Sequence, residues 1–492
     1  MTGRQSDWLI VLGDGESPLP GEAASRRRTF LGPHERPAMG GYEPLCNERN
    51  HSVMTTGLEK IAAKARQEPK LCFTRLAHHL DAERLWQNLG HVPRDTAPGR
   101  DGLTVEAVKQ AFSAWSGATR RAVHHKGYHP PPVRRVYLPK PGKREQRPLG
   151  VPGGGDRVLQ RSVADVRSAI DEQDFLPCSF GGRPAGGAHH ALATLNEVIA
   201  GTAVSWIYEA DRRNFFGSLA QGWLLRVVPH RVGDPRLVSL IWRWLQAGVR
   251  EDGLSEASEA GIPQGGSVSV VLSNLYLHYV LDLWFERVVK PRRQGEAYLI
   301  RSIDDFVVCV QHRSAARRFE QGLAKRLAKF TLALEPSKTR LVAFGRFAAR
   351  QAQGQVKRPE TVTLLGFTHY GTRNHRGNFK VGWKTDKARL RRSLAKFHQQ
   401  LQIIRHEPLK EQARQINQIL RGHYAYYGVA GNLGSLPRVY RSVERYWRKM
   451  LSSRSQKGQG RWDVFLAIKR TYPLQRPKLS LPYARLKHYV VL

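Results

Sequence analysis

Two short runs of apolar, β-forming residues, Tyr298-Leu299-Ile300-Arg301 and Phe306-Val307-Val308-Cys309-Val310, are separated only by Ser302, Ile303, Asp304 and Asp305. So short a gap predicts a β-hairpin with two adjacent carboxylates at its tip. Side-by-side carboxylates repel each other. A divalent cation that takes oxygen ligands, Mg²⁺ above all, relieves that repulsion. Taken alone, the pair also fits an ordinary polar turn, where Asp is common.

A third carboxylate changes the weighing. Ser205-Trp206-Ile207-Tyr208-Glu209-Ala210-Asp211 reads as a buried strand that ends in Asp211. Adjacent strands would bring Asp211, Asp304 and Asp305 together, and such a set can hold two Mg²⁺ ions about 3.5–4 Å apart. One ion would activate a primer 3′-hydroxyl and the other would hold a triphosphate and its leaving pyrophosphate. Phosphoryl transfer is mainly positioning and charge stabilisation, so no Cys or His nucleophile is needed.

The other elements place this pair of strands in an α+β frame. Val133-Arg134-Arg135-Val136-Tyr137-Leu138 and the return from Arg147 to Val151 predict a second hairpin. A helix is expected from Asp156 as its N-cap, with Val158, Leu159, Val163, Val166 and Ile170 on its inner face. Strands and helices mix without a regular βαβ repeat, which predicts an antiparallel sheet. After about residue 385 the pattern turns helical. Leu390, Leu394, Phe397, Leu401 and Ile404 form one seam, with Lys387, Arg391, Arg392 and Lys396 outside it. Ala413, Ile416 and Leu420, then Val439, Val443, Tyr446 and Met450, predict two more helices and so a three-helix, basic-faced unit. Residues 1–55, rich in Gly, Pro, Ser and Arg, read as a basic, poorly packed leader.

Charge narrows the partner. Lys and Arg total 79 against 41 Asp and Glu, a formal net charge of +38 spread along 492 residues. Self-repulsion on that scale points to a polyanion, nucleic acid before an anionic membrane surface. The four cysteines, at 46, 72, 178 and 309, form no CxxC pair, which argues against a zinc ribbon and a disulfide framework. The longest apolar stretch, around Val268 to Trp284, is interrupted by Asn274, His278 and Asp282. No run of membrane-spanning length and no secretory pattern is expected, and so a cytoplasmic, nucleoid-associated location.

Several motifs then resemble one family in its own order. They are Arg134-Arg135-Val136-Tyr137-Leu138-Pro139-Lys140, Arg147-Pro148-Leu149-Gly150-Val151-Pro152 and Ser179-Phe180-Gly181-Gly182-Arg183-Pro184. Gly261-Ile262-Pro263-Gln264-Gly265-Gly266 follows, with Ser269 and Asn274, then the double-Asp hairpin, Leu365-Gly366-Phe367 and Arg421-Gly422-His423-Tyr424-Ala425-Tyr426-Tyr427-Gly428. Together they resemble bacterial group II intron reverse transcriptases, over roughly residues 58 to 480. The resemblance implies a right-hand polymerase: a helical extension of the fingers over 56–130, fingers and palm over 131–370, an all-α thumb or maturase domain over 371–455, and a short basic tail over 456–492 without an endonuclease module. It implies an RNA- and DNA-directed DNA polymerase that uses Mg²⁺, with Mn²⁺ able to substitute. Its partners would be RNA and DNA template–primers, dNTPs and group II intron RNA, with no membrane; a dimer is compatible.

Residue by residue, the resemblance makes Asp211, Asp304 and Asp305 the metal-binding catalytic carboxylates. Lys140 and Arg147 would hold the incoming triphosphate, with Arg183, Gln264 and Lys338 also at the nucleotide. For Arg183 a structural ion pair, and for Lys338 a solvated surface position, are the competing readings. Phe216 would be the steric gate against a ribose 2′-hydroxyl, unless it is a plain core aromatic. Ser302 and Ile303 would face the primer terminus. Four positions depart from the family pattern besides Asn214: Ser302 for an aromatic, Ile303 for a small residue, Val270 for Pro and Gly182 for an aromatic. Ile before the double Asp resembles a branch of free-standing reverse transcriptases that serve the host, including in DNA break repair by microhomology annealing and gap filling. The alternative of another class is an intron-encoded maturase that binds intron RNA to promote splicing and retromobility.

Overall fold

The computed structural model describes residues 56–94, 96–139, 146–184, 186–247, 249–251, 254–256, 261–262, 265–348, 360–454 and 462–492. Lys140, Gln264 and the expected leader over 1–55 lie outside the described residues, as does the side chain of Arg147.

Helices α1 (Thr56–Gln67), α2 (Ala82–His91), α3 (Val105–Gln110) and α4 (Phe112–His124) come first. The Asp81 carboxylate caps α2 by accepting from Arg84 N, and Thr104 caps α3 by accepting from Ala107 N. The expected hairpin follows as β1 (Val133–Pro139) and β2 (Gln146–Val151), paired antiparallel. Helix α5 runs Gly154–Asp171, so it starts two residues before Asp156. Asp156 is not its cap but a buried acceptor for Trp244 Nε1, Gln160 Nε2 and Tyr128 Oη at 2.7, 2.8 and 3.1 Å. The sequence signal misleads here because the helix begins on glycines chosen by close packing. A Cβ on Gly155 would lie 2.5 Å from Trp115 Nε1.

The central sheet is built next. Helix α6 (Ala188–Gly201) leads into β3 (Trp206–Ala210). Three helices follow, α7 (Phe215–Ser218), α8 (Gln221–Val227) and α9 (Pro235–Gln246), then the short strands β4 (Val249–Glu251) and β5 (Leu254–Glu256). Helix α10 (Ser267–Leu277) continues through π-type turns at His278–Asp282 and Phe285–Val289. Strands β6 (Ala297–Ser302) and β7 (Asp305–Val310), helix α11 (Arg313–Lys329) and strand β8 (Arg340–Ala343) complete it. The order is β6-β7-β3-β8, antiparallel throughout. Both faces are buried. Trp206, Tyr208, Phe306, Val308 and Val310 enter the large core with α5 and α10, while Ile207, Val307 and Cys309 enter a second core with α6. Burial on both faces is why these strands read as continuous apolar runs and not as alternation.

Among the described strands the expected antiparallel character has one exception, since β1 pairs with β4 in parallel. The apolar helix also corrects an expectation. Ser267–Val289 spans 23 residues and holds an 18-residue stretch of mean hydropathy 1.3, long and apolar enough to cross a membrane, yet 94% of that stretch is buried inside the protein.

A third sheet, ordered β11-β10-β9, was not foreseen: β9 (Thr361–Leu364), β10 (Phe367–Arg373) and β11 (Phe379–Thr385). Strand β10 runs through the boundary expected at residue 370, and helices begin only at α12 (Lys387–Ile403). With α13 (Leu409–Tyr427) and α14 (Leu436–Ser452) it buries Phe397, Leu401, Ile404, Ile416, Leu420, Val439 and Val443 in a core of its own. The C-terminal residues return to the central part, where Leu481 and Leu486 pack with Leu192, Phe367, Trp383 and Val429.

Candidate active site

The pairing of β6 with β7 runs from Ala297↔Val310 to Ser302↔Asp305, which leaves Ile303 and Asp304 as a two-residue turn. Ile303 has φ of 56°. A β-branched residue rarely adopts that left-handed region, and the strain is on the order of 1–3 kcal/mol. Two buried guanidiniums oppose it. Arg301 Nη1 donates to the Ile303 carbonyl at 3.1 Å. Arg212 donates to the Asp304 carbonyl through Nε and Nη2, at 3.2 and 2.8 Å. A hydrogen bond from a charged donor contributes roughly 1.5–3 kcal/mol, so the set is enough to hold the turn.

Each guanidinium has its own support. Arg301, fully buried, takes both Asp282 carboxylate oxygens at 2.7 and 2.6 Å, Asn274 Oδ1 at 2.9 Å and Ser179 Oγ at 2.7 Å. Arg212 lies between the rings of Phe215 and Phe306, 5.0 Å from each. Burial brings its pKa down to about 10. The sequence carried a signal for the first of these residues: Arg301 interrupts an apolar strand just as Asn274 and Asp282 interrupt an apolar helix. An isolated buried charge needs a partner, and these three are partners.

β3 pairs with β7 as far as Ala210↔Phe306, which sets Asp211 beside the hairpin tip. The Asp211 carbonyl accepts from Glu335 N at 2.8 Å. Its carboxylate forms an ion pair with Lys338, which stands on a single 3₁₀ turn, Pro336–Lys338. Asp305 is pushed up to about 6, first by burial and then by the charges of Asp304 and Asp211, against Arg212 and Arg389. The three carboxylates therefore act on one another across one face. Among the described residues, no three acidic, His or Cys side chains are already drawn together closely enough to hold a metal. The all-oxygen donor set suits a hard divalent cation, and Asp211 is occupied by its pair with Lys338.

Four of the departures from the family pattern meet at this hairpin. A Cβ on Gly181 would sit 2.5 Å from Ser302 Oγ and 2.7 Å from Ile303 N, so the loop approaches the turn at a distance only Gly permits. Gly182 has φ of 69°, and a Cβ there would lie 2.4 Å from Val270 Cγ1 and 3.7 Å from Ile303 Cδ1. Val270 and Ile303 thus fill the space beside a position that lacks a side chain.

Phe216, half-buried in α7, meets Phe215 edge-on at 5.2 Å. Its carbonyl accepts from Ile262 N at 2.8 Å, so it stands beside the Gly261-Ile262 segment. Arg183 is engaged elsewhere: it pairs with Glu172 at 2.9 Å and donates to the carbonyls of Leu176 and Ser179. Arg389, given no role from sequence, stands exposed in the first turn of α12 and electrostatically close to Asp305. A Cβ on Gly366 would lie 3.5 Å from Arg389 Cγ, and Tyr426 Oη donates to the Leu365 carbonyl at 2.8 Å. The helical unit thereby meets the Leu365-Gly366 turn.

Residues 138–369, which hold the three carboxylates and the residues that support the hairpin, match the reverse transcriptase (RNA-dependent DNA polymerase) family. That segment is similar to a reverse transcriptase domain. It is 30% identical over 246 residues to protein YkfC of Escherichia coli, 49% of this chain and 64% of that protein. It is also 30% identical over 274 residues to the group II intron-encoded protein LtrA of Lactococcus lactis, 52% of this chain and 43% of that protein. An uncharacterized 91 kDa protein in the cob intron of Schizosaccharomyces pombe is 27% identical over 188 residues. The chain is therefore similar to group II intron proteins, and the matches span less than two thirds of the length of these relatives.

Proposed function

We propose that this chain is a reverse transcriptase that copies RNA, and also DNA, into DNA by adding nucleotides to a primer 3′-hydroxyl. The single observation that carries the reading is the meeting of Asp211, from the end of β3, with Asp304 and Asp305 on the β6–β7 turn. Two divalent cations bound there would supply activation of the hydroxyl and stabilisation of the leaving pyrophosphate. The chain's own part is to hold three carboxylates in fixed relation, with Lys338 beside them to take a phosphate once Asp211 is released. Phe216 would exclude a ribose 2′-hydroxyl, and Lys140, Arg147 and Gln264 would complete the nucleotide pocket.

Helices α12, α13 and α14 would act as the thumb. Arg389 faces the carboxylates from α12, and Lys387, Arg391 and Lys396 stand exposed on the same helix. That basic helix surface, with Arg389 and Lys396 on one side and Lys387 and Arg391 on the other, suits phosphates of the primer strand. It suits folded intron RNA equally, and the likeness to an intron-encoded protein favours a maturase role as a second reading. Ile303 beside the primer terminus supports a host role in break repair.

The test is primer extension on RNA and DNA templates. Asp304→Ala and Asp211→Ala should each abolish metal-dependent extension while template binding survives. Near-normal extension by either variant removes the carboxylate assignment. Template binding should also weaken steeply with salt, since Lys and Arg release counterions on meeting phosphates.

A further inference from the structure

The geometry points to Arg212 as a positioning residue that keeps the double-Asp turn in its strained, working shape, an inference that rests on the polymerase reading above. Arg212 sits next to the first carboxylate in sequence and under the second in space. Its Nε and Nη2 both donate to the Asp304 carbonyl, and its guanidinium is clamped between the Phe215 and Phe306 rings. Arg301 holds the preceding carbonyl, that of Ile303. The two guanidiniums differ in their counter-charge. Arg301 has a buried carboxylate of its own in Asp282, with both side chains 0% exposed. Arg212 has no ion pair among the described residues and feels Asp304 most strongly of the acids. It is 5% exposed, and its Nη1 has no hydrogen-bond partner among the described residues.

A buried cation left in this state is costly to keep, and an apolar side chain would pack between two aromatic rings at less cost. What the guanidinium gives in return is a rigid two-donor fork on one turn carbonyl, next to a residue whose φ of 56° resists the turn. The prediction is a coupling between positions 212 and 303. Arg212→Lys keeps the charge and loses the fork. Ile303→Gly removes the strain, because Gly adopts positive φ freely. The turn should then need Arg212 much less.

The experiment uses the full chain, with wild type, Arg212→Lys, Ile303→Gly and the double variant compared on one primed template. Three quantities are read: the rate of single-nucleotide addition, the Mn²⁺ concentration at half-maximal rate, and the template–primer Kd. Arg212→Lys should slow addition about tenfold and raise the Mn²⁺ midpoint severalfold, with Kd unchanged, as expected for loss of one charged hydrogen bond. In the Ile303→Gly background the same substitution should cost no more than about threefold, the rest being relieved strain. A tenfold loss in both backgrounds, or none in either, overturns the proposal. Should Arg212→Lys fail to fold, Arg212→Gln replaces it in both backgrounds. Mn²⁺ binding without nucleotide, followed by the electron paramagnetic resonance of the free ion against an Asp304→Ala control, reports the carboxylates separately from turnover. A wild-type chain that binds Mn²⁺ but adds no nucleotide sinks the polymerase reading. The coupling of positions 212 and 303 in Mn²⁺ affinity is then still measured.

Discussion

Lys338 is ion-paired with Asp211, so a cation supplied 127 residues later in the chain holds the first of the three proposed catalytic carboxylates. The pair is partly exposed, with Lys338 54% and Asp211 22% accessible, which makes it weak and exchangeable. Lys338→Met should free Asp211 and lower the Mn²⁺ concentration needed for half-maximal extension severalfold. If Lys338 then serves the triphosphate, KM for the nucleotide rises in the same variant. A metal titration and a nucleotide titration on one preparation separate the effects, and an unchanged metal midpoint removes Lys338 from the site.

Phe216 stands between Phe215 and the Gly261-Ile262 segment, partly open to solvent. Phe216→Ala should admit ribonucleotides by opening room for a 2′-hydroxyl. Incorporation of each ribonucleotide beside its deoxy counterpart is the measurement. Unchanged discrimination would return Phe216 to the core.

Gly182 and Val270 are mutually exclusive in volume, since a Cβ on Gly182 would lie 2.4 Å from Val270 Cγ1. Gly182→Ala should destabilise the protein by about 1–3 kcal/mol, combining overpacking with an unfavourable positive φ. Adding Val270→Ala should recover the overpacking part only. Chemical denaturation of the single and double variants reads both contributions, and full recovery would show that backbone strain at 182 is negligible.

Ile303 places a stiff, branched side chain beside Gly182 at the proposed primer terminus. Ile303→Ala should lengthen products on long primed templates and reduce synthesis from primers paired over only a few bases. Both activities belong on one enzyme preparation at matched Mg²⁺ and Mn²⁺. If they rise or fall together, the residue sets rate alone and the repair reading loses its support.

His369 is fully buried in β10 with neither ring nitrogen hydrogen-bonded among the described residues, and burial brings its pKa down to about 4. Between that value and the ordinary 6.5, the unfolded chain binds a proton that the folded chain refuses. Its contribution to stability is therefore complete above pH 6.5 and is lost as pH falls toward 4. Relative to His369→Phe, wild type should lose about 2 kcal/mol between pH 7 and pH 5. Parallel pH dependence in the two proteins would show that His369 finds a partner when protonated.

Local pattern settled much of this molecule. The hairpin that carries Asp304 and Asp305, the strand that ends in Asp211 and the apolar stripes of α12, α13 and α14 follow from residue period and turn length, which are properties of neighbours in the chain. The lone polar residues inside apolar runs, Arg301, Asn274 and Asp282, were visible as well. Their pairing was not, because a sequence shows that a buried charge needs a partner without showing which one. Tertiary structure alone decided that Arg212 lies under Asp304, that Lys338 reaches Asp211, and that Arg183 is turned to Glu172. It also decided that Gly182, Val270 and Ile303 share one space, and that Asp156 is a buried acceptor and not a cap. Each of these depends on the distance between segments far apart in the chain, and close packing, not local propensity, sets that distance.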